Sequence, residues 1–473
     1  MVFNSLHFVV FFAVVYAVYR VLPHRAQNLM LLAASYYFYA AWDWRFLGLL
    51  IAQTVLDFTV ARLIHATPDR ARRRWWLLLS LVFNLGMLGF FKYFNFFAEN
   101  LHTLAASVGW QVDTVTLRIV LPVGISFYTF MTISYVVDVY RGIWTPSSRF
   151  IDFALYVAYF PHLVAGPILR AKKLIPQLEM SRVITWAQTR EGLWLLAWGM
   201  FQKVLVADNL ARVANDVFAP GATPHAGEIL LGVYAFAFQI FGDFAGYSNM
   251  ARGISKMLGI ELSLNFLTPY FVTSPSQFWR HWHISLSEWL RDYLYIPLGG
   301  NRGGAWMTRR NLMITMGLGG LWHGAAWTFV IWGLYQGLVL VAGQWIESAA
   351  TRAGIIVRDG LNVSRVLLGV LMFHVTCYGW LVFRARSSHQ IADMTRELAT
   401  GWTWGPHAPA YAWALVAYAL PLMAIHAAEA RRGDVLFTLG LPTPLRYALY
   451  AGIFYATLLF GDFGGSEFIY FQF

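Results

Sequence analysis

One histidine stands nearly alone in an apolar, glycine-rich run, Gly317-Leu318-Gly319-Gly320-Leu321-Trp322-His323-Gly324-Ala325-Ala326-Trp327. Roughly 20 apolar residues span a bilayer, and a titratable group inside such a stretch is expensive. On insertion scales a charged residue costs about 2.5–3.5 kcal/mol at the centre of the membrane, and a neutral imidazole costs less. A group retained at that cost usually faces the protein interior or a wet cavity and is a functional-site candidate. A neutral imidazole there can accept a proton, so His323 reads as the general base of a membrane-embedded enzyme.

A second concentration of polar chemistry is Phe278-Trp279-Arg280-His281-Trp282-His283-Ile284-Ser285-Leu286-Ser287-Glu288-Trp289-Leu290-Arg291-Asp292-Tyr293-Leu294-Tyr295-Ile296-Pro297. Ser285 and Glu288 have capping-box spacing, which predicts a helix starting there. Leu286, Trp289, Leu290 and Tyr293 would share one face, Arg291 and Asp292 the other, and Pro297 with Gly299-Gly300 would end the helix. His283 then sits just before the helix start. His281 reads as a satisfied structural histidine, whereas spacing alone leaves both a structural and a functional reading open for His283. The pair is two residues apart and shares a face only on an extended chain. With no cysteine or acidic ligand nearby, no metal site is expected. Arg280, Arg291, Arg302, Arg309 and Arg310 admit two readings: a cytoplasmic loop held by its charge, or a rim for the phosphates of an acyl carrier such as coenzyme A. Neither a Walker A loop nor a dinucleotide-binding glycine fingerprint is present, which leaves an ATP-driven pump or a flavin enzyme without support. Asp243, in Phe241-Gly242-Asp243-Phe244-Ala245-Gly246-Tyr247-Ser248, reads as a hydrogen-bond anchor for Tyr or Ser groups or as a residue supporting the site; Asp138 and Lys92 are similar cases. His162, His374 and His426 lie in apolar runs without glycines like those around His323 and read as structural. Cys377, the single cysteine, reads as a small buried hydrophobe.

The elements that must position these residues are membrane helices. The chain has 473 residues, 58% hydrophobic and 12% charged, against about 25% charged in a soluble domain. Its 21 tryptophans suit two membrane–water belts. The net charge of +11 resides in short loops between apolar runs, the positive-inside pattern rather than a nucleic-acid footprint. Apolar runs are predicted at Leu6–Val21, Asn28–Ala41, Phe46–Ile64, Trp75–Phe97 and Ile119–Tyr140. The first reads as a retained anchor rather than a signal peptide. The arginines from Arg62 to Arg74 mark a cytoplasmic loop, the Glu99–Thr116 stretch is poor in Lys and Arg, and the N-terminus falls outside. Phe150–Leu169 contains Pro161, Gly166 and Pro167 and predicts a broken or re-entrant helix. Further runs lie near Leu193–Ala207, Ile229–Gly246, Val366–Phe383, Tyr411–Ile425 and Leu445–Phe460. Asn311–Trp345 is too long for one crossing and should break near Gly317–Gly324. Gly401–Pro409, with Trp402 and Trp404, reads as an interfacial loop. The expected fold is an all-α polytopic membrane protein, one domain over 1–473, with about ten to twelve membrane segments including broken helices.

Several of these segments resemble the membrane-bound O-acyltransferases: Trp282-His283-Ile284-Ser285-Leu286-Ser287, Arg291-Asp292-Tyr293-Leu294-Tyr295-Ile296-Pro297-Leu298-Gly299-Gly300-Asn301-Arg302 and Gly320-Leu321-Trp322-His323-Gly324-Ala325. Leu121-Pro122-Val123-Gly124-Ile125-Ser126-Phe127-Tyr128-Thr129-Phe130, Tyr159-Phe160-Pro161-His162, Gly166-Pro167-Ile168, Asp243-Phe244-Ala245-Gly246-Tyr247-Ser248 and the terminal Phe468-Ile469-Tyr470-Phe471-Gln472-Phe473 add to the match. The branch resembled is the bacterial one that acetylates alginate, with D-alanyl transfer to teichoic acid as a cousin. The resemblance implies that His323 is catalytic, in a central tunnel across the membrane, with His283 as the second polar residue of the site. It makes Trp282, Arg291, Asn301, Arg302 and Trp322 the expected substrate-binding set. His281 departs from the pattern, where Arg is more usual. The implied activity is transfer of an acetyl group from cytoplasmic acetyl-CoA, used as substrate with no permanently bound cofactor, to an exopolysaccharide such as alginate or cellulose. The implied setting is the inner membrane, among its lipids, with a periplasmic acetyltransferase or polysaccharide-modifying partner. From the residues alone, a transporter or polymer-export subunit without chemistry is the alternative, although no matching inverted halves are visible.

Overall fold

Backbone N–H and C=O groups have no water to bond in a bilayer, so apolar runs of this length must satisfy them within helices. The computed structural model describes residues 1–110, 116–353, 362–464 and 468–469, and among these there are helices and no strand. In chain order they are α1 (Leu6–Val21), α2 (His24–Asp43), α3 (Leu47–Ala66), α4 (Arg70–Leu88), α5 (Phe94–Ser107), α6 (Ile125–Tyr140), α7 (Phe150–Ala158), α8 (Phe160–Leu163), α9 (Ala171–Glu179) and α10 (Trp186–Met200). They continue with α11 (Asp208–Val217), α12 (Ala226–Met257), α13 (Pro275–His281), α14 (Ile284–Leu290), α15 (Gly304–His323), α16 (Trp327–Arg352), α17 (Val363–Arg384), α18 (Ser388–Thr400), α19 (Ala408–Arg432) and α20 (Thr443–Phe460). Among the described residues, six helical stretches are long and apolar enough to cross a membrane: His24–Ala66, Arg70–Ser107, α12, α16, α17 and α19. The shorter α1 is also apolar. The protein is an all-α, multi-pass membrane protein.

The chain divides into two compact units, Met1–Leu193 with Ala251–Ser263, and Trp194–Met250 with Leu264–Phe473. In the first, a buried polar chain ties α3, α4 and α6. Asp57 accepts from Ser80 Oγ at 2.6 Å and from Asn84 Nδ2 at 2.9 Å, Thr132 Oγ1 donates to Asn84 Oδ1 at 3.1 Å, and Gln53 Nε2 donates to Thr132 Oγ1 at 2.7 Å. The broken helix expected at Pro161–Pro167 is present: α7 stops at Ala158, α8 is a single turn, and residues 153–163 are buried throughout. Two elements differ from expectation. α6 begins at Ile125, because Gly124 adopts a left-handed φ of 76° where an added Cβ would lie 2.5 Å from the Leu163 carbonyl oxygen. The run expected over Trp75–Phe97 is α4 and α5 joined by a π-turn at Gly89–Tyr93.

The second unit carries both candidate histidines. α15 and α16 form the break expected in the 311–345 run, but at Gly324–Ala326, downstream of a glycine stretch that remains helical. The two helices approach to backbone contact: a Cβ on Gly320 would lie 2.2 Å from the Phe329 carbonyl oxygen, and one on Gly333 2.3 Å from that of Met316. The capping box at Ser285 does not form. His283 occupies the N-cap position and Ser285 lies inside α14, which runs only seven residues before a π-turn at Arg291–Tyr295. The faces are as expected, since Leu286, Trp289 and Leu290 are buried while Arg291 is exposed. Among the described residues Asp243 pairs with Lys203 at 2.8 Å and accepts from the Ile469 amide at 2.6 Å, in place of the expected Tyr or Ser partner. Of the terminal segment, Phe468 and Ile469 are described and Tyr470–Phe473 lie outside the described residues, as do residues 111–115 of the 99–116 loop.

Candidate active site

α15 delivers His323 at its last residue. The chain then turns extended, with Gly324 at φ −164° and ψ 155°, and only glycine fits because an added Cβ would lie 2.1 Å from the Phe329 ring. His323 is 4% exposed and walled by rings: Trp322 and Trp332 each at 5.0 Å between centroids, and Phe383 of α17 at 5.4 Å, all edge-on. Phe329 supports Phe383 from behind at 5.0 Å. His323 therefore sits where two helices meet, packed against aromatic edges.

His283 is held differently. It has a φ of 42°, which no other described non-glycine residue shares in sign. Such a conformation persists only where surrounding contacts over-determine it. Those contacts come from the extended segment before α13. Ile284 N donates to Asn265 O at 2.9 Å, and Leu267 N to His281 O at 3.0 Å. Asn265 Oδ1 then accepts from Ser285 N at 3.3 Å and Ser285 Oγ at 2.8 Å, while its Nδ2 donates to Ser248 Oγ at 3.2 Å. The backbone amide of Ser285 fixes which end of the carboxamide is oxygen. His283 Nδ1, 3.2 Å from the same Oδ1, must therefore carry the proton, and Nε2 is the acceptor nitrogen of the ring. Phe244 packs edge-on at 4.6 Å. Complete burial lowers the pKa of the imidazole to about 3, which keeps it neutral.

The two histidines meet on Trp322, whose ring is 6.1 Å from His283 and 5.0 Å from His323. Around them runs a buried aromatic layer, from Phe266 to Trp282 at 5.1 Å, Trp282 to Trp380 at 4.7 Å and Trp380 to Trp332 at 6.3 Å. Phe266 and Phe241 also line a small recess together with Trp198, Gln202, Asn249, His426 and Glu429.

Residues 145–382 match the membrane-bound O-acyltransferase family. The chain belongs to that family. It is 45% identical over 390 residues to the probable alginate O-acetylase AlgI of Azotobacter vinelandii, covering 82% of this chain and 76% of the relative. Similarity to the protein of the same name in Pseudomonas aeruginosa is 43% over 85% of this chain and 76% of that one. The peptidoglycan O-acetyltransferase of Helicobacter pylori is 35% identical over 82% of this chain and 77% of its own length. The protein is therefore an O-acyltransferase, and the transporter reading falls away.

In this O-acyltransferase, the expected site residues divide into two groups. His323, His283, Trp322 and Trp282 share the aromatic layer. Arg291, Asn301 and Arg302 lie in the exposed 291–303 loop, where their polar contacts are local: Arg291 pairs with Asp292 at 2.8 Å, Asn301 accepts from the Tyr295 hydroxyl, and the Arg302 amide donates to Gly299 O at 3.0 Å. Asn265, Trp332 and Phe383 were not singled out by sequence. Asn265 is 18 residues from His283 with no motif linking them, and Trp332 and Phe383 are ordinary apolar positions until the helices are folded. His374 accepts from the Tyr234 hydroxyl at 2.7 Å and contacts Val370 O at 2.8 Å, and His162 is buried in the first unit. His426, read as structural, lines the recess, with Nε2 3.7 Å from Glu429 Oε2. Among the described residues, no group of three His, Cys, Asp or Glu side chains converges to hold a metal ion.

Proposed function

We propose that this O-acyltransferase takes an acetyl group from cytoplasmic acetyl-CoA and passes it outward, for O-acetylation of an exopolysaccharide such as alginate or cellulose, from a position in the inner membrane. The names of the relatives favour acetyl and a polymer acceptor. A periplasmic partner delivers the group to the polymer. His323 is the base. As the acceptor hydroxyl oxygen attacks the thioester carbonyl, the C–O bond forms, the proton moves to His323, and collapse of the tetrahedral intermediate breaks the C–S bond. The proton then leaves with the thiolate as thiol. The carbonyl end of α15 favours the imidazolium formed midway. His283, with Nδ1–H committed to Asn265, presents an acceptor nitrogen, which favours orienting an N–H or O–H of the substrates over donating to an oxyanion. The amides of Gln202 and Asn249 in the recess are suitable partners for the amide-bearing arm of the donor.

The observation that carries this reading is His323 itself, a buried imidazole at a helix break, set against the same tryptophan as a second oriented imidazole. Purified protein supplied with radiolabelled acetyl-CoA should transfer or hydrolyse the acetyl group. His323→Ala should lower that rate by about 10²–10⁴-fold, the usual contribution of a general base, with the melting temperature little changed. A folded His323→Ala protein with undiminished turnover would refute the mechanism.

A further inference from the structure

Attack on a thioester carbonyl drives a pair of electrons onto its oxygen, and the rate depends on a donor already placed where that charge develops. In the acetyl transfer proposed above the proton goes to His323. His283 does not serve the oxyanion, because its Nδ1–H is committed to Asn265 Oδ1 and its Nε2 is an acceptor. A donor stands on the other side of His323. Trp332, in the second turn of α16, packs perpendicular to the His323 ring with 5.0 Å between centroids. It is 1% exposed, and among the described residues its Nε1–H is buried without a hydrogen-bond partner. An indole N–H lies in the plane of its ring, and Trp332 stacks on Trp380 at 16° between planes, so the Trp380 face does not receive it. Phe383 and Trp279 pack against the same ring at 5.2 and 6.1 Å and hold it in place. Buried donors in native proteins are nearly always paired, and an apolar ring would fill this space without orphaning one.

The α15–α16 corner is polarised in the sense this reaction needs. α15 ends at His323, which puts its carbonyl end at the imidazole. α16 begins at Trp327, behind Ala326, which offers no side-chain cap to the amides of the first turn. A cation is favoured at the first terminus and an anion at the second. An imidazolium on His323 and an oxyanion toward α16 therefore separate charge along the gradient the two helix ends set up. α16 then runs to Arg352, an end that the positive-inside rule expects in the cytoplasm. Trp332 thus stands on the leg of the corner from which a cytoplasmic thioester arrives. It needs no opening of its own, because it belongs to the wall of the histidine that the thioester must reach.

We infer that the Nε1–H of Trp332 is the oxyanion donor of this enzyme. As the acceptor oxygen bonds to the acetyl carbon and its proton passes to His323, the carbonyl π pair moves onto oxygen and the indole N–H donates to it. The indole proton stays on nitrogen, and the pair returns to re-form the carbonyl as the C–S bond breaks. The inference rests on the proposed acetyl transfer, so it is read both with and without turnover. Trp332→benzothienylalanine, in the full chain in lipid nanodiscs, keeps the bicyclic shape and puts sulfur in place of N–H. Acetyl turnover should fall about 10²–10³-fold, the usual loss for one oxyanion donor, with KM for acetyl-CoA and the melting temperature unchanged. Trp332→Phe should lose as much in kcat and also melt lower, because it leaves a cavity. Should Trp332→Phe not fold, the benzothienyl replacement carries the comparison. With the chemistry slowed by His323→Ala, the infrared carbonyl band of bound, carbon-13-labelled acetyl-CoA should lie below its solution frequency, since a donor on the oxygen weakens the C=O bond. Trp332→benzothienylalanine in that background should return the band toward solution. Wild-type turnover in the benzothienyl protein, a loss confined to KM, or a band that the replacement leaves in place would each overturn the inference. If wild-type protein transferred no acetyl group while the band shift appeared and vanished with the N–H, the proposed reaction would fail and the contact would stand.

Discussion

At the scale of single residues, the two histidines are positioned by different means. His323 is walled by the aromatic edges of Trp322, Trp332 and Phe383. His283 is held by a hydrogen bond from Nδ1 to Asn265 Oδ1 that selects a tautomer. Asn265 is therefore the most informative substitution away from the imidazoles. Asn265→Ala leaves Ser285 N, Ser285 Oγ and His283 Nδ1 without their shared acceptor. Orphaning buried donors costs about 1–3 kcal/mol each where nothing replaces the partner. We expect Asn265→Ala to lower the melting temperature and to cut acetyl turnover at least tenfold. Asn265→Asp, which retains an acceptor at the same place, should recover much of the rate; equal turnover in wild type and Asn265→Ala would show that the tautomer of His283 is immaterial. His323 stood out in the sequence because it is set in a glycine-rich apolar run, unlike His162, His374 and His426. Asn265 did not, because its role depends on an extended segment lying beside a turn 18 residues later, and nothing local to Asn265 encodes that pairing.

At the scale of elements, the position of His323 is made by the α15–α16 corner. Gly320 and Gly333 allow backbone contact between the helices, and Gly324 leaves room for the Phe329 ring that supports Phe383 behind His323. Two kinds of glycine substitution should separate assembly from chemistry. Gly320→Leu forces α15 off α16 and should destabilise by at least the ~1–3 kcal/mol typical of overpacking, visible as lost expression or a lower melting temperature. Gly324→Ala pushes on one aromatic ring and should mainly lower kcat, with KM for acetyl-CoA nearly unchanged. If Gly324→Ala instead leaves turnover intact, the Phe329–Phe383 wall does not position His323. Most helices were legible from apolar run length, as α1 shows, because a bilayer leaves the backbone no alternative. Their ends were less so. Ser285 and Glu288 satisfy the spacing of a capping box, but Asn265 competes for Ser285 Oγ, and a tertiary contact outweighs a local preference. The π-turns at Gly89–Tyr93 and Arg291–Tyr295 likewise carry no sequence signal that apolar periodicity can register.

At the scale of the whole molecule, the proposed transfer requires that thioester and acceptor meet His323 from different compartments. The two compact units are each assembled from separated stretches of chain, with no linker or shift in composition between them, so the sequence offered no sign of the division. Orientation, by contrast, is written in the arginines. By the positive-inside rule the cluster from Arg70 to Arg74 is expected in the cytoplasm and the α18 region outside. The proposed chemistry depends on this, because a coenzyme A thioester is a cytoplasmic metabolite too polar to cross the bilayer, and an inverted molecule would meet it from the wrong side. The single cysteine makes the point testable: Cys377 is 3% exposed, and Cys377→Ala gives a cysteine-free background. New cysteines at the exposed positions Arg72 and Asp393 should then respond oppositely. In spheroplasts, a membrane-impermeant maleimide should label Asp393→Cys within minutes and reach Arg72→Cys only after lysis. With the reverse pattern, the case for transfer outward across the membrane would be lost.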